Sequence, residues 1–307
     1  MPMKGKMTPP SPHIVRLRRS RASALSGLYS TPLSATGISN GIIRALKITA
    51  DRIADVAECS FGSSFGDAGF LDLCRSGSWD LLCHHAAEVR DYRSPAFDVA
   101  GALAANTRNF PEVLRAMRGL RGVMLTGSVF EADEGAGTAP LRAFSAYGLS
   151  KGMTADLVQF YCEATAMPLG KFVIPNPFGP FEEPRFCAYL IRQWQAGEAA
   201  EVRTPAYVRD NIHVDLLAAA YAVFAEKVAA GASFIRANPS GYVETQGAFA
   251  ERFAREIGKR SRLDCRVVLA HQTEFPEPAV RINTDPTSIP GWSETAAWDA
   301  IAEYYDG

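Results

Sequence analysis

Four short, nearly unbroken apolar runs, at residues 79–84, 122–126, 171–175 and 233–237, constrain the fold of this chain more than any other feature. Runs of this length bounded by polar segments read as strands buried on both faces, the pattern of a parallel sheet. Segments with helical spacing separate them. One covers about 97–117, where Pro111 is expected to kink or restart the helix. A second carries Leu149, Met153, Leu157 and Tyr161 at four-residue steps, which reads as its apolar face. A third covers about 214–228. Strand and helix in repeated alternation predict a doubly wound α/β domain over residues 1–175. From Asn176 the pattern changes to loops rich in Pro and Glu, then helices. That predicts a smaller C-terminal lobe over 176–307, with the chain returning to the sheet at about 210–238.

The bulk properties exclude several classes of function. A chain of 307 residues with 47% apolar content buries a large core. Its net charge of -1 gives no support to nucleic acid or an anionic membrane surface as a partner. The charge is uneven: residues 1–50 hold eight Lys or Arg and no Asp or Glu, leaving the rest at net -9. This basic, Ser-rich start superficially resembles a transit peptide but lacks a convincing amphipathic helix. Six cysteines show no Cys-x-x-Cys and no close pairing with the five histidines. Neither a metal site nor a disulfide framework is expected, and a reducing cytoplasm fits. No apolar run reaches the roughly 18 residues that span a bilayer.

The chemistry concentrates in Tyr147-Gly-Leu-Ser-Lys151 and in the apolar run ending at Thr126. A tyrosine and a lysine four apart share one helix face. A nearby ammonium favours the phenolate, lowering the ordinary tyrosine pKa of about 10. A threonine hydroxyl beside them can bind the same substrate oxygen. Such a set takes a proton from an alcohol while its hydride leaves for a nicotinamide, or runs the step in reverse. The bland alternative is a solvated helix pair.

Several further blocks fall in an order that resembles the extended short-chain dehydrogenases/reductases, in the NAD-dependent epimerase/dehydratase family acting on nucleotide sugars. Gly66-Asp67-Ala68 resembles the end of the family's third strand, Cys83-His84-His85-Ala86-Ala87 the end of its fourth, and Asn106 an asparagine in the next helix. Thr126-Gly-Ser-Val-Phe-Glu131 is similar to its Ser/Thr-x-x-Val-Tyr-Gly, and Tyr147 and Lys151 fill Tyr-x-x-x-Lys. Asn176-Pro-Phe-Gly-Pro180, Arg209-Asp-Asn-Ile-His-Val-Asp215 and Gly291-Trp292 follow in order. The resemblance implies a Rossmann-like sheet with a substrate lobe, NAD or NADP as cofactor, a nucleotide-sugar substrate and a homodimer. It implies catalytic roles for Thr126, Tyr147 and Lys151. Asp67, Ala86, Ala87, Asn106, Tyr147 and Lys151 would line the cofactor, and Ser128, Asn176 and Arg209 the substrate, with Arg209 on the diphosphate.

Departures from the family pattern refine this. Glu131 and Phe130 stand where the family has Gly and Tyr, and are expected to reshape the substrate pocket. Gly127 and Ser128 replace the acid–base pair of the dehydratase branch, which disfavours 4,6-dehydration and leaves an epimerase or a 4-keto-sugar reductase. The front is the weakest part. A dinucleotide fold needs a glycine-rich turn after its first strand. Counting back from His84 places that turn near 18–27, after a strand at 13–17, where Gly27 is the sole glycine. Thr36-Gly-Ile-Ser-Asn-Gly41-Ile-Ile43, and Gly62, Gly66 and Gly69, have glycine-loop spacing but read as ordinary loops. Weak dinucleotide binding is therefore expected, and a non-catalytic sugar-nucleotide binder or interaction protein is the alternative. His84 and His85 read as packing and capping residues, His213 as a buried, hydrogen-bonded one, and Arg209–Asp210 alternatively as a surface ion pair.

Overall fold

The computed structural model describes three N-terminal strands, at 13–18, 40–45 and 57–60, and residues 63–306 apart from 86, 90, 91, 93 and 182–184. In chain order the strands of the main sheet are β1 (His13–Arg18), β2 (Asn40–Ala45), β3 (Ala57–Ser60), β4 (Leu81–His84), β5 (Gly122–Ser128), β7 (Leu169–Ile174) and β11 (Phe234–Ala237). They lie in the order β11-β7-β5-β4-β2-β1-β3. The last four in the chain and β2 run parallel, each pair in register, as at Ile42↔Leu82, Leu82↔Val123 and Met124↔Gly170. The predicted apolar runs are these strands, and the fold is α/β with a parallel, Rossmann-like sheet.

The front of the sheet differs from expectation. The strand at 13–18 exists, but it runs antiparallel to both neighbours and does not touch β4. The strand beside β4 is Asn40–Ala45, which begins within the stretch 36–43 read as a loop. Gly41-Ile42-Ile43 is a short unbroken apolar run, the composition of a strand in a buried parallel sheet, whereas Arg16 and Arg18 interrupt the run of β1. The expected glycine turn at 18–27 otherwise lies outside the described residues.

Helices cover both faces. Asp67 caps α1 (Ala68–Arg75) and Asp98 caps α2 (Val99–Thr107), accepting from Gly101 N–H at 2.9 Å. The predicted 97–117 helix is split: Asn109 turns left-handed (φ 50°), and Pro111 sits in the first turn of α3 (Phe110–Ala116). Ser145 caps α4 (Ala146–Ala164). On the opposite face, α6 (Val214–Ala229) comes so close to the sheet that a Cβ at Gly170 would lie 2.3 Å from Val228 and 2.7 Å from Phe224. Two apolar clusters fill these interfaces, one around Phe65, Phe110, Val123 and Val158, the other around Met124, Phe172, Leu217 and Phe224.

The stripe on α4 is a correction. Its buried face carries Ser150, Lys151, Thr154, Ala155 and Val158, while Leu149 and Met153 are 46% and 40% exposed. A buried lysine, Lys151, stands on the inner face in place of the stripe that spacing alone selects.

A second sheet, drawn mostly from the chain after β7, has β13 (Tyr242–Thr245), β10 (Val208–His213), β15 (Val280–Ile282) and the earlier β6 (Ala136–Gly137) as neighbours, and β8 (Asn176–Phe178) pairs with β10. The remaining short strands are β9 (Ala200–Val202), β12 (Pro239–Ser240), β14 (Val267–Leu269) and β16 (Asp285–Pro286). Helices α5 (Phe186–Gln195), α7 (Gln246–Gly258) and α8 (Glu294–Asp306) pack with this part around Phe178, Phe249, Phe253 and Trp298. No helix among the described residues is long and apolar enough to cross a membrane.

Candidate active site

The C-terminal ends of parallel strands are where an open α/β sheet holds its chemistry. Here β4 ends at His84, opposite Leu125 of β5, which runs on to Ser128. One step further along, the Thr126 hydroxyl lies 2.6 Å from His85 Nδ1. Lys151, 4% exposed on the inner face of α4, donates its ammonium to the Thr126 carbonyl oxygen. Thr126, Lys151 and His85 therefore form one cluster. Tyr147 lies one turn before Lys151 on the same helix, with its ring edge-on to Tyr92 and Phe97 at 5.7 and 6.2 Å.

Burial sets the charges. Loss of solvent pulls the Lys151 pKa down, Glu131 pushes it up, and Lys171 pulls it down again, for a net lowering. Burial, reinforced by the Lys151 charge, lowers His85 to about 4, so its imidazole is neutral at physiological pH.

Beneath the cluster lies a charge network that sequence reading missed. Lys171 on β7 bridges Glu131 and Glu134 at 2.6 Å each. The two carboxylates are 0% and 1% exposed. Glu131 also accepts the Ser128 N–H at 2.7 Å, and Arg281 donates to the carbonyls of Val129 and Glu131. Glu131 was expected to reshape the substrate pocket; it points into the interior and fastens the loop after β5. The signal was present: a lysine inside an apolar strand run demands a buried partner. Phe130, the other departure, stacks on Phe144 at 4.6 Å.

The remaining sequence-predicted residues are distributed as follows. Asp67 stands seven residues beyond the end of β3 as a helix cap, not at a strand end, and its carboxylate accepts from Ser64 and Phe70 N–H at 2.5 and 2.8 Å. Asn106 is 0% exposed and accepts from Glu88 N–H at 3.1 Å, so it pins the loop after β4. Ala87 is buried beside it, and Ala86 lies outside the described residues. Ser128 is half-buried at the end of β5, its hydroxyl accepting from Phe130 N–H at 3.2 Å. Asn176 opens β8 opposite Asn211. Arg209 is buried; it donates to the Pro278 carbonyl at 2.9 Å, pairs with Glu277 at 3.1 Å, and lies over the Tyr207 ring at 4.4 Å. Its partner is Glu277, not Asp210, whose carboxylate accepts from the N–H groups of Gly241 and Asn283. His213 is 1% exposed, 3.3 Å from the Tyr242 hydroxyl, and lines a cavity of about 330 Å³ with Tyr242, Trp292 and Glu294. No group of three or more His, Cys, Asp or Glu among the described residues could hold a metal ion.

The model of the NAD dependent epimerase/dehydratase family matches residues 68–238, more than half of the chain and every residue of this cluster. The chain belongs to that family. Solved structures share the epimerase/dehydratase fold at low identity. The UDP-glucose 4-epimerase of Thermotoga maritima, solved with UDP-glucose, is 16% identical with a TM-score of 0.61, covering 80% of this chain and 83% of its own. The UDP-glucuronic acid 4-epimerase of Bacillus cereus, solved with UDP-glucuronic acid and NAD, is 16% identical with a TM-score of 0.56, covering 78% and 79%. The dTDP-glucose 4,6-dehydratase of Streptomyces venezuelae, solved with NAD, is 17% identical with a TM-score of 0.58, covering 80% and 78%. No curated protein matches the sequence of this epimerase/dehydratase member.

The residues present fit a nicotinamide dinucleotide at one end. Thr126 and Lys151 are joined at the strand ends, with Tyr147 one turn away, which suits a nicotinamide ribose. At the pyrophosphate end, the strand beside β4 is β2, and residues 46–61 after it contain no glycine.

Proposed function

We propose that this chain is an NAD(P)-dependent nucleotide-sugar enzyme, a 4-epimerase or a 4-keto-sugar reductase. The observation that carries the reading is the buried Lys151 ammonium, bonded to the Thr126 carbonyl one turn from Tyr147 at the ends of β4 and β5. Bound there, a nicotinamide dinucleotide would supply the hydride acceptor and donor. Tyr147 takes the proton of the sugar hydroxyl, and Lys151 stabilises the phenolate and holds the nicotinamide ribose. Thr126 hydrogen-bonds the reacting oxygen. Ser128 and Asn176 contact the sugar nucleotide, and Arg209, released from Glu277, takes the diphosphate.

Two features support the choice against dehydration. Gly127 and Ser128 carry no acid or base, and a Cβ at Gly127 would meet Lys171 Cε at 3.0 Å and Glu131 Oε1 at 3.2 Å. A carboxylate side chain there would press on the ion pair. The test is incubation with UDP-, GDP-, CDP- and dTDP-sugars and their 4-keto forms, with NAD(H) or NADP(H), and separation of the products. An isomer formed without net cofactor turnover marks an epimerase; stoichiometric cofactor oxidation marks a reductase. Absence of both with every substrate would refute the reading.

The missing glycines after β2 favour one second reading, a family member that binds a sugar nucleotide without turnover. Fluorescence titration with NADH and NADPH separates the two. Without a backbone N–H cradle several charge-assisted hydrogen bonds are lost, at about 1.5–3 kcal/mol each and not strictly additive, so binding weaker than low micromolar is expected. Low-micromolar affinity would favour the enzyme and mean that the pyrophosphate is held without a glycine-rich turn. We further propose a homodimer, supported by Leu149, Met153 and Phe160 (65% exposed) along the outer side of α4.

A further inference from the structure

His85 was read from sequence as packing, yet the structure ties it to the side chain that the proposed chemistry needs. Extending the β4–β5 register from His84↔Leu125 by one residue sets His85 beside Thr126, with their side chains on the same face. Their polar atoms meet at 2.6 Å. The imidazole plane is fixed from behind by Tyr221 of α6, at 4.7 Å between ring centroids and 31° between planes. Tyr221 is held in turn by an edge contact to Phe172 at 5.0 Å. Thr126 is thus anchored twice, its carbonyl by Lys151 and its hydroxyl by His85.

A hydroxyl has one proton and points it in one direction. If His85 Nδ1 is bare, Thr126 donates its proton to the imidazole and offers only lone pairs to a ligand. If Nδ1 carries the proton, the imidazole donates to Oγ1 and the threonine proton is free to turn toward the cleft. The reacting sugar oxygen gains negative or carbonyl character as its proton leaves, so it must receive hydrogen bonds. Only the second arrangement supplies one from Thr126. Lys151 and burial both oppose a charged imidazole, so the tautomer rather than the charge is what varies.

We infer that His85 is a positioning residue, protonated at Nδ1, whose N–H turns the Thr126 hydroxyl outward as a donor to the substrate oxygen. This rests on the proposed proton-transfer role of Thr126, and no covalent step is involved. Three variants separate the geometry from mere packing. In His85→Asn the amide N–H lies close to the place of Nδ1 and can still donate. His85→Phe keeps the ring on Tyr221 without a donor, and His85→Asp places an acceptor there. The expected result is kcat within about threefold of wild type for Asn, and about ten- to a hundredfold lower for Phe and Asp with KM little changed. In a Thr126→Val background the His85→Phe change should have no further effect. Equal turnover by the Phe variant and wild type, or an Asn variant as poor as Phe, overturns the inference. Thermal melts check that each variant is folded. Nitrogen-15 NMR of the wild-type imidazole provides an arm independent of turnover: a proton on Nδ1 supports the inference and a bare Nδ1 overturns it. If wild type turns over no nucleotide sugar, the enzymatic reading falls while the NMR still decides the direction of the hydrogen bond.

Discussion

Replacing Lys171 by Met should destabilise this protein far more than an ordinary surface charge change. The lysine holds two carboxylates at 2.6 Å, with side chains 9% exposed for Lys171, 0% for Glu131 and 1% for Glu134. Without it, Glu134 keeps the Asn238 amide at 3.3 Å and Arg236 at 3.6 Å. Glu131 keeps the Ser128 N–H at 2.7 Å but loses its ion-pair partner. Breaking a buried pair by deleting one partner typically costs about 3–5 kcal/mol, because the remaining charge is left uncompensated. Against a usual unfolding free energy of about 5–15 kcal/mol, that is a large fraction of the total. Burial pulls the Lys171 pKa down, but Glu131 and Glu134 more than offset this and raise it. A cation with a raised folded pKa contributes stability fully below its unfolded value of about 10.4 and loses it as pH rises through the folded value. Denaturant unfolding at pH 7 therefore samples the whole effect. A Glu131→Gln/Lys171→Met double variant should lose less than Lys171→Met alone, since the uncompensated charge is gone. A loss below about 1 kcal/mol for Lys171→Met would match a solvated ion pair and refute the network.

Three further outcomes follow from the same geometry. His85 and His213, lowered chiefly by burial to about 4 and about 3, bind protons in the unfolded chain at pH values where the folded chain does not. Stability should therefore fall as pH drops below about 6.5, by up to about 1.4 kcal/mol per pH unit for each, and His213→Phe should flatten that slope in acid denaturation curves. Arg209→Ala should raise the calorimetric Kd for nucleotide sugars about ten- to a hundredfold, while Glu277→Gln, which frees the guanidinium, should lower it; unchanged values would confine Arg209 to holding the segment at 277–279. Phe160→Glu should shift the protein from dimer to monomer in sedimentation velocity, and a monomeric wild type would refute the dimer.

Much of the fold was legible because buried parallel strands write unbroken apolar runs, as at 122–126 and 171–175. The break at Asn109–Pro111 was readable from proline chemistry alone. Strand pairing was not, since Gly41-Ile42-Ile43 gives no local sign that it lies beside β4. The α4 stripe misled because four-residue spacing does not say which of two faces is buried, and Lys151 reverses the usual choice. At the site, Thr126, Tyr147 and Lys151 were visible as motif residues, while the contacts of His85, Glu131, Glu134 and Lys171 depend on strands far apart in the chain. Asp67 and Arg209 were singled out by motif, but the cap that Asp67 makes to Phe70 was not read, and the hydrogen bond of Arg209 to Pro278 is a tertiary contact.

The most direct test compares wild type and Tyr147→Phe on the same panel of nucleotide sugars and keto-sugars, with circular dichroism as the control for folding. The substitution removes one hydroxyl and leaves the ring against Tyr92 and Phe97. If Tyr147 carries the proton, turnover should fall about 10²-fold or more while the spectrum stays unchanged. A Phe variant as active as wild type would contradict the assignment and return Tyr147 and Lys151 to a structural pair on α4.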